Sequence, residues 1–166
     1  RILGPAQACA DERVHRHLLW AAQLLGVKHP PRLMVTPALP TVALCGWWRP
    51  CILVPFDLCD RFAPGEVRGI FLHELAHVRR KDVLWTWLAL LASALHWFNP
   101  LVWLMMRRFR ADRELECDRI ALALLSEPQK RHFGEALIKT LESHQWPALA
   151  AVVPFAHQKP EILTRI

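Results

Sequence analysis

No tyrosine occurs among the 166 residues. A phenol is therefore excluded as a proton donor or oxyanion partner, and such work falls to His or Arg. The five cysteines, Cys9, Cys45, Cys51, Cys59 and Cys117, are odd in number and form no C-x-x-C pair. That spacing excludes a cysteine zinc site and a closed disulfide framework, and points to free thiols in a reducing compartment. No Met begins the chain, Arg1 starts no signal peptide, and the final Leu163-Thr164-Arg165-Ile166 reads as the middle of an element. A piece of a longer protein is expected. Finally, Asp, Glu, Lys and Arg are all missing from Val83 to Met106.

What is present fits one domain over 1–166 with a real core, since 53% of the residues are hydrophobic. The formal net charge is +6. The cations are not spread as a nucleic-acid stripe. Arg79-Arg80-Lys81 precede the uncharged stretch, and Arg107, Arg108, Arg110 and Arg113 follow it. Cations at both ends of an apolar segment suit a membrane surface, with both ends on the cytoplasmic face, so no direct nucleic-acid partner is expected.

Along the chain, Pro5 to Leu25 reads as an amphipathic helix closed by Gly26. Arg32–Thr36, Thr41–Cys45 and Cys51–Val54 read as a small antiparallel sheet with a hairpin centred on Gly46; an edge strand there can pair with an extended peptide, or the sheet only covers the helices. Pro64 starts a helix that runs to about Arg80. The apolar stretch from Val83 to Met106 breaks at His96–Pro100. Two full crossings of a bilayer need about 40 apolar residues. The stretch is therefore expected to form a hairpin of two helices that dips into the membrane interface or packs on other membrane segments. The other reading is a hairpin buried in a soluble core. Helices over Arg110–Leu125 and from Glu127 to about His144 follow, ended by Trp146-Pro147, with a further short helix possible at Glu161. The fold class is α+β and mainly helical.

The chemistry centres on His73-Glu74-Leu75-Ala76-His77. Residues four apart share a helix face, so His73 and His77 can offer two imidazoles to one metal ion. Glu74 is placed to act as general base on an activated water, which is the H-E-x-x-H arrangement of zinc peptidases. A catalytic zinc needs a third protein ligand. Val78 to Asp82 supplies no nearby Gly and His for that purpose. Glu114 and Asp118 share a face of a later helix, 37 residues beyond His77 in the case of Glu114. Glu114 is expected to be the third ligand, and Asp118 to hold a ligand imidazole in the right tautomer. Glu116 points about 200° away from Glu114 and cannot face the same metal. His157, His132 or an Arg remains to stabilise an oxyanion; His157 lies in a loop that can aim it, although a lone loop His is more often a surface residue. One Zn2+ per chain and a protein or peptide substrate are expected.

Four stretches carry a family resemblance: Gly46-Trp-Trp-Arg-Pro-Cys-Ile-Leu-Val-Pro55, Phe71-Leu-His-Glu-Leu-Ala-His-Val-Arg-Arg-Lys-Asp82, Leu95-His-Trp-Phe-Asn-Pro-Leu-Val-Trp103 and Arg113-Glu-Leu-Glu-Cys-Asp118. Together they resemble the BlaR/MecR-type integral-membrane zinc peptidases, the antirepressor family. The resemblance implies a gluzincin-like domain on the cytoplasmic side of a bacterial inner membrane. It implies His73, His77 and Glu114 as zinc ligands, Glu74 as base and Asp118 behind them. It also implies regulated proteolysis in signal transduction, with a transcriptional repressor or the protein itself as substrate and membrane lipid as a neighbour. No Ser-x-x-Lys motif is present, so β-lactam sensing finds no support in this stretch. The Ste24/HtpX-like membrane peptidases, which act in quality control, are similar in H-E-x-x-H and E-x-x-x-D. Their His-Pro…Arg-Ile segment is only loosely echoed by His157 through Pro160 and Arg165-Ile166. A non-catalytic module whose zinc merely ties two helices together is the remaining alternative.

Overall fold

The structure, a computed structural model, describes residues 7–142 except 38, 47 and 48. His157, the expected helix end near His144 and the expected helix at Glu161 lie outside the described residues.

The first expected helix is shorter than its periodicity suggested. Gln7–Ala8 forms a strand, β1, and the helix α1 spans Glu12–Leu25. Asp11 sets the boundary: its side chain accepts the backbone N–H of Arg13 at 2.8 Å, an N-cap that frees the residues before it to pair elsewhere. Gly26 ends α1 in the left-handed region at φ 68, as its sequence position implied. β2 (Arg32–Val35), β3 (Ala43–Cys45) and β4 (Cys51–Val54) follow.

The sheet is mixed, not antiparallel throughout. Its strand order is β1-β2-β4-β3. The hairpin at Gly46 is present, with β3 antiparallel to β4 and Cys45 opposite Cys51. Gly46 sits at φ 90, and a Cβ there would lie 2.8 Å from the carbonyl oxygen of Arg49, so the turn needs glycine. Contrary to the antiparallel expectation, β2 runs parallel to β4 with Leu33 opposite Ile52. Pro37 and Pro40 prevent a tight β2–β3 hairpin. The chain instead swings outward, leaves β3 on the edge and returns β4 beside β2.

After a short helix α2 (Leu58–Arg61), helix α3 spans Pro64–Arg80 with Pro at its start. Glu66 accepts the backbone N–H of Ala63 at 2.6 Å, and Lys139 reaches the same carboxylate at 2.7 Å. α3 is buried from Gly69 through His77, nearly all round, as a central helix must be. α1, α5 (Pro100–Leu124) and α6 (Glu127–Glu142) pack against it. Gly69 permits the closest approach. A Cβ there would stand 2.6 Å from Cδ2 of Phe133 on α6.

Between α3 and α5 lies α4, Asp82–Leu95. Asn99 caps α5 by accepting the N–H of Leu101 at 3.0 Å, and Pro100 follows, so the break falls where the sequence placed it. The reading of this hairpin as a buried soluble one does not survive. Trp97 is 70% exposed, Phe98 69% and Met105 68%, and the one buried residue of α4 is Asp82. Apolar exposure on this scale marks a surface that meets another apolar phase or partner. No helix among the described residues is long and apolar enough to cross a membrane.

Candidate metal centre

The second half of α3 and the middle of α5 build the site. His73 and His77, one turn apart, turn their Nε2 atoms toward each other at 3.2 Å. Glu114 on α5 brings Oε2 to 3.6 Å from Nε2 of His73 and Oε1 to 3.8 Å from Nε2 of His77. One donor atom from each of these three side chains lies within 4.8 Å of the others. A tetrahedral zinc with bonds of about 2.0–2.2 Å separates its ligand atoms by roughly 3.3–3.6 Å. The donor set therefore fits zinc in both type and spacing, and three protein ligands leave a fourth position open.

The outer nitrogen of each ring meets a carboxylate. Nδ1 of His73 lies 2.7 Å from Oδ1 of Asp118, the partner expected for a ligand imidazole. Nδ1 of His77 lies 2.7 Å from Oδ2 of Asp82. These contacts favour the proton on Nδ1 in both rings and leave both Nε2 lone pairs for a cation. Phe133 supports His73 from α6, with ring centroids 6.4 Å apart, which is possible because Gly69 lets Phe133 in so close.

Glu74 is 2% exposed, and its Oε2 accepts no hydrogen bond from any described residue. A buried carboxylate oxygen of this kind suits a proton acceptor held in reserve. The edge strand β3 is close by. Burial, then the neighbouring Cys51, then the charge of Glu74 push the Cys45 thiol up to about 11.

Glu116 faces away as its angle required. It pairs with Arg119 at 2.6 Å and stands 3.8 Å from Arg80. His132 does not join the cluster. It packs on Gly65, eight residues before His73, which is about 12 Å along the helix axis. Arg113 is the cation beside the site, with a guanidinium nitrogen 3.6 Å from Oε1 of Glu114.

The sequence reading missed Asp82 and Cys117. Burial pushes the Asp82 carboxyl up, but the hydrogen bond from His77 and the charges of His77, Arg80 and Arg113 outweigh it and hold the group below its ordinary value. Cys117 places Sγ 3.2 Å from Nδ1 of His77, and burial, Asp82 and Glu114 push its thiol strongly up. On a continuous helix Asp82 would point about 140° away from His77. Lys81, in the left-handed region at φ 58, breaks the helix and folds Asp82 back. That Lys gives no hint of such a conformation, which Gly or Asn would have signalled.

Comparison with protein families matches residues 3–166 to BlaR1 peptidase M56. Regulatory protein BlaR1 of Bacillus licheniformis is 31% identical over 132 residues, covering 79% of this chain and 22% of that protein. The methicillin resistance mecR1 protein of Staphylococcus aureus is 30% identical over 88 residues, covering 53% of this chain and 15% of that protein. Regulatory protein BlaR1 of Staphylococcus aureus is 27% identical over 90 residues, covering 54% and 15%. The chain thus spans about a fifth or less of the length of these relatives. By the extent of the family match, the chain belongs to the BlaR1 peptidase M56 family and is a peptidase domain of the BlaR/MecR type.

Proposed function

We propose that this domain is a zinc endopeptidase that works at a membrane surface in regulated, site-specific proteolysis. The observation that carries the reading is the convergence of His73, His77 and Glu114 from two helices, with a buried carboxylate next to His73 in the chain, Glu74, whose Oε2 accepts no hydrogen bond among the described residues. A structural zinc that only ties α3 to α5 has no use for such a base. Zinc, when bound, supplies a Lewis acid that makes a water nucleophilic at neutral pH. His73, His77 and Glu114 would hold it, in a gluzincin-like set. Glu74 takes the proton of the attacking water and passes it to the leaving amine. Asp118 keeps the His73 ring in register. Arg113 offers a cation beside Glu114. β3, an edge strand within reach of the Glu74 charge, is suited to align an extended substrate backbone.

The substrate proposed is a protein, either a transcriptional repressor or the parent chain, in bacterial signal transduction. Two relatives are named regulatory proteins and a third a resistance protein, which supports that setting. The exposed apolar hairpin of α4 and the first turns of α5, with cations before α4 and arginines from Arg107 onward in α5, supports a place on the cytoplasmic side of the inner membrane.

Two experiments test this. Removing metal with a chelator is expected to abolish cleavage of a repressor-derived or self-derived substrate, and zinc to restore it; cleavage that persists without metal overturns the reading. Vesicles containing anionic lipid are expected to bind the domain, and Trp97→Ser with Phe98→Ser to weaken that binding at least tenfold. Equal binding of the doubly substituted protein would remove the hairpin from the membrane.

A further inference from the structure

We propose that Asp82 is the positioning residue of His77, with the Cys117 thiol and Arg80 fixing Asp82 in turn, so that the first turn of α4 sets how His77 meets a metal. The inference rests on the metal centre proposed above and adds to it the dependence of that centre on the apolar hairpin.

Asp82 is 3% exposed, and both of its oxygens are held. Oδ2 lies 2.7 Å from Nδ1 of His77, and the Cys117 thiol donates to it at 3.5 Å. Nε of Arg80 donates to Oδ1 at 3.3 Å and to Oδ2 at 3.4 Å. A carboxylate held from three sides has one orientation to offer. A ring held through Nδ1 has its Nε2 direction fixed as well, which is how outer partners tune metal affinity. The two histidines then have matched supports, Asp118 from α5 for His73 and Asp82 from α4 for His77.

Cys117 belongs to this support and not to the ligand set. It sits on the Nδ1 side of His77, whereas His73 and Glu114 approach Nε2. The two ring nitrogens diverge, so one metal ion cannot take both edges. His77, Asp82 and Cys117 do form a compact group of metal-binding types, and its separate position is what makes the distinction testable.

Asp82 also heads the helix whose apolar residues are exposed. Thr86, one turn on, donates to the Asp82 carbonyl at 2.7 Å and receives Arg113, which in turn stands 3.6 Å from Glu114. The base of the hairpin therefore touches the support of one ligand and the neighbour of another. A shift of α4 relative to α3 moves Asp82, and with it the His77 ring.

The test is zinc affinity by competition with a chromophoric chelator. Asp82→Ala is expected to weaken zinc binding roughly 10–100-fold, and Asp82→Asn, which keeps an acceptor, to recover most of the loss. In the zinc-loaded wild type, imidazole nitrogen NMR is expected to show His73 and His77 protonated on Nδ1 and metal-bound through Nε2. This readout does not depend on any variant folding. In the cobalt-loaded wild type no thiolate charge-transfer band is expected. Wild-type affinity in Asp82→Ala, ligation of His77 through Nδ1, or a thiolate band overturns this proposal and leaves the metal centre standing. A wild type that binds no zinc overturns both.

Discussion

Replacing Glu74 by Gln is expected to lower substrate cleavage by roughly 10²–10⁴-fold, the range general-base catalysis supplies, while about one zinc per chain stays bound. Glu74 stands next to His73 in the chain but is not one of the three converging donors. Its amide counterpart fills the same buried space without an added clash and keeps an oxygen acceptor, yet cannot take up a proton at neutral pH. The ligands His73, His77 and Glu114 and the supports Asp118 and Asp82 are untouched by the change. Cleavage and metal content must therefore separate. If they fall together, Glu74 is acting through the metal site and not on the water. If neither falls, the site is not that of a peptidase.

The second large effect is expected at Glu114. Its side chain is only 12% exposed, so Glu114→Ala truncates a largely buried group, but the group lost is a carboxylate and not part of the apolar core, and α5 keeps its packing through Cys117 and Ala121. What remains is a pair of imidazoles 3.2 Å apart with no anionic ligand between them. Zinc affinity is expected to fall by more than the roughly 10–100-fold that loss of an outer partner costs, and cleavage with it. Glu116→Ala is the control. That residue lies two positions on but faces Arg119 and Arg80, and its loss is expected to leave zinc binding unchanged. Chelator competition on the folded variants measures both. Equal zinc affinity in Glu114→Ala and wild type would remove Glu114 from the ligand set.

Local signals were the readable ones. His73 and His77 meet because a helix repeats every 3.6 residues, and Glu114 and Asp118 share a face for the same reason. Gly46 marked its turn through the conformation that only glycine holds easily, and Asn99-Pro100 marked the hairpin through a cap and a forbidden N–H. What stayed hidden was set by partners distant in sequence or by an unusual backbone. β4 pairs with β2 in parallel because two prolines reroute the chain, and no residue of β2 signals that direction. The helix expected from Pro5 starts instead after Asp11, since a side-chain cap outweighs continuing apolar periodicity. Asp82 was hidden by Lys81, a residue that adopts the left-handed conformation with no sequence signature for it. The apolar stretch was legible as uncharged, but only the structure shows that α4 and the first half of α5 leave their large side chains uncovered.

The most direct test of the central claim is the metal content of the purified domain after zinc loading and removal of free metal. Wild type and Glu74→Gln are predicted to retain about one zinc per chain, and Glu114→Ala to retain almost none. A wild type that retains no zinc, or a Glu114→Ala variant that retains as much as the wild type, would contradict a centre built from His73, His77 and Glu114.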